Sequence, residues 1–257
     1  MNLGRVIAIA SNVFRETVRE QVLYLVLLFT LVLVGSITLL PHLAAGGENK
    51  LTADFGLAAI ELFGLIVAAF VGSNLINKEI DKRTVFILVA KPISRVEFIL
   101  GKHLGISAVL AVLVAIMSAI FIGFATVRNI PVPSHAVIVS GFFTFWQLML
   151  LSAFAILFGT FTSSLLASML TLATYLVGNF SRDLLALGEI SKSESFQAFA
   201  RAMYLVLPDL SRTNLKNEAV YGILPSVTDL LNNGVYTLSY ALLVLAIAIL
   251  VFANRQF

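Results

Sequence analysis

The chain has 257 residues, 59% of them hydrophobic and only 12% charged, where an ordinary soluble domain carries about 25% charged residues. The net charge of +3 is too small an excess to argue for nucleic-acid binding. The absence of cysteine excludes a disulfide framework, a zinc–thiolate site and a thiol nucleophile. A length that holds one or two soluble domains is better spent here on one all-α, polytopic membrane bundle covering 1–257.

In chain order, residues 1–21 read as an amphipathic helix. Leu3, Val6, Ile7, Ala10, Val13, Phe14 and Thr17 recur at helical spacing, with Arg5, Asn12, Glu16 and Arg19 on the other side. Such a helix lies in the membrane interface with its apolar face toward lipid; the alternative is a charged extension of the first span. The apolar run that follows is longer than a signal-peptide core and fits an uncleaved span. Six transmembrane helices are predicted, over 22–40, 56–76, 104–127, 136–158, 161–180 and 235–253, each approaching the ~20 residues that cross ~30 Å of hydrocarbon. They must be helices, because lipid offers backbone polar groups no partner and the alternating segments of a barrel are absent.

Lys and Arg set the orientation. With the N-terminus inside, ten of them (Arg5, Arg15, Arg19, Lys78, Lys82, Arg83, Lys91, Arg95, Lys102 and Arg255) face the cytoplasm. The two short outer loops hold only Lys50 and Arg128, and the long outer segment 181–234 adds five. This is the positive-inside pattern, and it puts both termini in the cytoplasm. Within 181–234, Phe196, Phe199, Ala200, Met203, Tyr204 and Leu207 form an apolar stripe ending at Pro208, and a second cluster precedes Pro225. Two readings stand: short amphipathic or re-entrant helices at the outer face, or an ordinary ordered loop.

Glu61 is the only acidic residue inside a predicted span, roughly 8 Å from its start. It reads either as a carboxylate contacting substrate or a cation along the pathway, or as a residue that snorkels or hydrogen-bonds to a neighbouring helix. Ser73, Asn74, Ser118, Thr144, Gln147, Ser152, Thr171 and Thr174 are suited to hydrogen bonds between helices, and Gly64 with Ala68 to close packing. His42, His103 and His135 share no metal-ligand spacing, and no metal site is expected. Gly101-Lys102-His103 is not a phosphate loop, because position 96 is valine and a histidine stands where magnesium needs Ser or Thr.

The segment 77–103 carries the densest signal. Lys78, Glu79, Asp81, Lys82 and Arg83 form a charged turn, and Val85, Phe86, Leu88 and Val89 an apolar patch. Lys91-Pro92 ends that helix. Ser94 then caps the next one, with Glu97 completing a capping box. A plain topogenic loop needs only a few lysines, so this pattern reads as a docking element.

Glu79, Arg83-Thr84, Leu88, Lys91-Pro92, Ser94-Arg95, Glu97-Phe98 and Gly101-Lys102, within six spans and behind an N-terminal interfacial helix, resemble the permease subunits of ABC type-2 transporters. Leu207-Pro208-Asp209-Leu210-Ser211 with Asn214 is similar to the outer segment of bacterial permeases grouped with copper-enzyme maturation. The resemblance covers essentially the whole chain. It implies a permease subunit in the inner (plasma) membrane, mostly exporting, that pairs with a second permease subunit as a homodimer or heterodimer. ATP and magnesium would sit on a separate cytoplasmic ATPase, with no cofactor on this chain. A cytoplasmic coupling helix would meet that ATPase through Glu79, Asp81, Lys82, Arg83, Thr84, Val85, Phe86, Leu88, Lys91, Pro92 and Arg95. Lipid is the remaining partner. The competing readings are a secondary transporter or channel without an ATPase, which needs ionisable residues in the bundle, and an intramembrane enzyme or scaffold, for which no catalytic constellation is present.

Overall fold

A computed structural model of the protein describes residues 2–43, 48–81 and 94–254. Among them the secondary structure is helical throughout: α1 (Leu3–Thr17), α2 (Leu23–Leu43), α3 (Glu48–Ile66), α4 (Gly72–Asp81), α5 (Arg95–Val127), α6 (Ser134–Gly159), α7 (Ser164–Asn179), α8 (Ser181–Ile190), α9 (Glu194–Val206), α10 (Lys216–Tyr221) and α11 (Val227–Asn254). A single 3-10 turn covers Leu210–Arg212.

Two joints in this list are not breaks. A π-helical turn at Val18–Val22 links α1 to α2, and another at Val67–Val71 links α3 to α4. The residues flanking the first turn keep right-handed helical angles, so the predicted boundary between an interfacial helix and a first span at residue 21 falls inside one continuous helix. The predicted apolar stripe of α1 is also divided. Val6, Val13 and Thr17 are buried against α5, while Leu3 and Ile7 stay exposed.

Among the described residues, five helical runs are long and apolar enough to cross a membrane: Leu3–Ile37, Glu48–Glu79, Arg95–Val127, Ser134–Gly159 and Val227–Asn254. The predicted span at 161–180 is shorter than expected. The 16 residues of α7 reach only about 24 Å at 1.5 Å per residue, short of ~30 Å of hydrocarbon. It becomes a sixth crossing only together with α8, which follows after a 55° bend. Two other spans are longer than hydropathy suggested. The second begins at Glu48 and the third at Arg95, because their first turns are polar yet helical.

The core is organised around α6, which packs against α3, α4, α5, α7, α10 and α11. Apolar side chains gain no hydrophobic advantage by leaving lipid for protein, so tight van der Waals packing through small residues holds such helices together. Gly64 illustrates this: a Cβ there would lie 2.2 Å from Leu148 of α6, and Ala68, one turn on, is fully buried. By contrast α2 leaves Leu23, Tyr24, Leu27 and Leu31 exposed, as a helix facing lipid would.

Side-chain contacts fix what lies at each end. At one end the backbone N–H of Asn2 donates to Glu97 Oε1 at 2.5 Å. Arg95 donates to the Phe252 carbonyl at 3.0 Å and also contacts that of Ala253. The Phe98 and Phe252 rings stack at 5.6 Å. The described N-terminus, the start of α5 and the C-terminal turn of α11 therefore share one end. At the other, Lys50 meets Tyr221, and Pro133 lies against Gly222.

Candidate functional site: the charged end and a buried carboxylate

The end that holds both described termini is densely charged. Lys78 pairs with Glu16 at 3.0 Å, and Glu79 with Lys102 at 2.9 Å. Lys102 is almost buried and lies over the Phe98 ring. A cleft of about 370 Å³ opens between Glu16, Glu20, Asn74, Lys78, Glu79 and Lys102. The first π turn contributes Glu20 and the second Val71 to this cleft, so both widened turns meet there. α1 reaches α5 only because Gly101 and Gly105 are glycines. A Cβ on Gly101 would lie 2.7 Å from Ile9, and one on Gly105 would lie 2.7 Å from Val13 and 2.8 Å from the Ala10 carbonyl.

The predicted capping box is present. The Glu97 N–H donates to Ser94 Oγ at 3.2 Å, and the Ser94 N–H donates to Glu97 Oε2 at 3.0 Å. Of the predicted coupling residues, Glu79 is held by Lys102 and Arg95 caps the last turn of α11. Asp81 ends α4. Lys82, Arg83, Thr84, Val85, Phe86, Leu88, Lys91 and Pro92 lie outside the described residues.

Glu61 is buried, and it has partners. Gln147 of α6 donates Nε2–H to its Oε1 at 2.9 Å, and the Lys216 ammonium pairs with its Oε2. The Tyr175 phenol of α7 also interacts with the carboxylate. Thr213 donates to Gln147 Oε1 at 3.2 Å, which extends the network into the segment 181–234. Because the helix starts at Glu48, Glu61 lies about 20 Å along it, not roughly 8 Å. The carboxylate is thus bonded to neighbouring elements in this structure. Lys216 was missed by sequence reasoning, since 155 positions separate it from Glu61 and nothing local links them.

The other polar candidates divide. Ser73 meets Ser168 at 2.7 Å, Asn74 meets Ser164, and Gln147 meets Glu61, all between helices. Ser152, Thr171 and Thr174 instead bond carbonyls of their own helices. His103 is buried, with its Nε2 3.1 Å from the Met149 carbonyl oxygen. Among the described residues no three His, Asp or Glu side chains converge on a metal position.

The Leu207–Ser211 motif acquires a geometric meaning. Asp209 is 3% exposed and accepts from Arg182 Nε at 2.7 Å, Arg212 Nε at 3.1 Å and Ser211 Oγ at 2.5 Å. Its own N–H donates to Tyr236 Oη of α11 at 2.9 Å. Burial works against the Arg212 charge, but Tyr204 and Asp209 outweigh it and hold the guanidinium above its ordinary pKa. One aspartate thus ties α8, the 3-10 turn and α11 together.

A bundle of this kind, with long apolar helices, ion pairs toward both ends and a paired carboxylate inside, is a multi-pass membrane protein. Residues 7–257 match the family described as ABC-2 family transporter protein. The chain belongs to that family, and is a transmembrane subunit of an ABC transporter. No curated relative matches it.

Proposed function

We propose that this chain is the permease subunit of an ATP-driven exporter, and that residues 79–95 transmit the ATPase stroke to the spans. The observation that carries the reading is where the intervening segment leaves and rejoins the bundle. It departs after Asp81, two residues beyond Glu79, which Lys102 holds, and returns at the capped Ser94, with Arg95 anchored on α11. Both flanks sit at the end that carries the termini, beside α1. A push on this segment would reach α1, α4, α5 and α11 together. Positive-inside bias assigns that end to the cytoplasm of the inner (plasma) membrane. The ATPase is a separate cytoplasmic subunit that binds ATP and magnesium, and a second permease subunit completes the assembly. Within the family, Leu207–Ser211 and Asn214 favour the permeases grouped with copper-enzyme maturation. A secondary transporter or channel would want a free ionisable group in the bundle, and Glu61 is paired.

The test is co-purification of the ATPase with the chain, wild type and with single alanines across 82–92. Loss of the ATPase at a subset of positions, with normal membrane insertion, supports the reading. Full recovery with every variant contradicts it.

A further inference from the structure

We propose that residues 208–221 form a re-entrant lid over the outer end of the pathway, latched by Lys216 on Glu61, and that release of this latch accompanies outward opening. The inference rests on the outward placement of 181–234 and goes beyond the coupling assignment.

The segment does not lie on the surface. Leu210, Leu215, Ala219 and Val220 are buried in the bundle, and a Cβ on Gly178 of α7 would meet Leu210 at 2.8 Å. Lys216 reaches a carboxylate about 20 Å along the second membrane helix. Its side chain remains 22% exposed, while that of Glu61 is 3% exposed. The ammonium is therefore the more exposed member of the pair, and the carboxylate is the one enclosed by the bundle. A buried pair adds little net stability compared with apolar residues of similar size, but it is costly to break one-sidedly. That property suits a contact that holds one state and is exchanged for solvation in another. The boundaries of the segment are built for a turn. Pro208 opens it, and Gly222 follows with φ +70°, in the left-handed region that favours glycine. Asp209 anchors the first boundary through Arg182, Arg212 and Tyr236, so the lid would swing about that end. Thr213 on Gln147 is the second inward tie.

The native chain has no cysteine, so Ala219→Cys reports lid position in the assembled transporter through a membrane-impermeant maleimide added outside. Lys192→Cys, at an exposed outer position, reports sidedness independently. With the latch intact, position 219 should be labelled slowly. Lys216→Ala should raise that rate by on the order of tenfold or more, because the remaining carboxylate must find water. Lys216→Arg, and the exchange Glu61→Lys with Lys216→Glu, should restore protection. If Lys216→Ala fails to reach the membrane, the readout is the Ala219→Cys chain with and without ATP turnover, and faster labelling under turnover is expected. Labelling at 219 that neither the substitution nor turnover changes, while 192 is labelled from outside, overturns the latch. Labelling of 192 only from the cytoplasm overturns the topology instead.

Discussion

At the scale of single residues, the ion pair of Glu61 and Lys216 decides most. Removing one partner should cost far more than removing both. Glu61→Ala should destabilise the bundle by on the order of 3–5 kcal/mol, whereas Glu61→Leu with Lys216→Met should come much closer to wild type. Thermal unfolding of the detergent-solubilised chain reads this directly, as a large drop in Tm for the single variant and a smaller one for the double. Equal drops would mean that the pair is not the source of the effect. Residues that work through sequence neighbours were legible before the structure. Ser94 and Glu97 lie three apart, and their box is present. Residues that work across the fold were not: Glu61 stood out as an acid in an apolar run, but its cation lies in a segment read as outside the membrane.

At the scale of elements, hydropathy located the spans but not their ends. Polar first turns hid the starts of α3 and α5. The 16 residues of α7 looked like a full crossing because Phe161 and Phe180 extend the uncharged run beyond both ends of the helix. The continuity of α1 into α2 was hidden for a different reason. Arg15, Glu16, Arg19 and Glu20 suggest a boundary by charge, whereas backbone hydrogen bonding continues through the π turn. The contact of α1 with α5 is the element-scale feature most open to test. Gly105→Leu would force a side chain into Val13 and the Ala10 carbonyl, and overpacking of this kind costs about 1–3 kcal/mol. Its Tm should fall, and α1 should become more accessible to protease. Gly123→Leu, on the same helix with nothing within 4 Å of its Cβ, should leave both unchanged. Similar losses at the two positions would show that leucine harms α5 for reasons other than α1.

At the scale of the whole molecule, the chain is a membrane bundle with both described termini at one end. The proposed division of labour makes it a mechanical element, not a chemical one. The purified chain alone should therefore hydrolyse no ATP, and clear turnover by the isolated chain, with contamination excluded, would refute that division. Alanine at Phe86 should weaken association with the ATPase by about 1–3 kcal/mol if Phe86 is a central anchor, since a few apolar or aromatic residues usually dominate such an interface. A binding titration in detergent reads that loss, and an unchanged affinity would remove Phe86 from the interface.

The most direct measurement is a crosslink. A single cysteine at position 86, in a chain that otherwise has none, is paired with a thiol-reactive crosslinker in membranes containing the assembled transporter. The account predicts a covalent adduct between Phe86→Cys and the ATPase subunit that changes in yield with ATP, and no such adduct from Lys192→Cys. An Phe86→Cys chain that is labelled only from outside, or that never crosslinks to the ATPase while Lys192→Cys does, would contradict it.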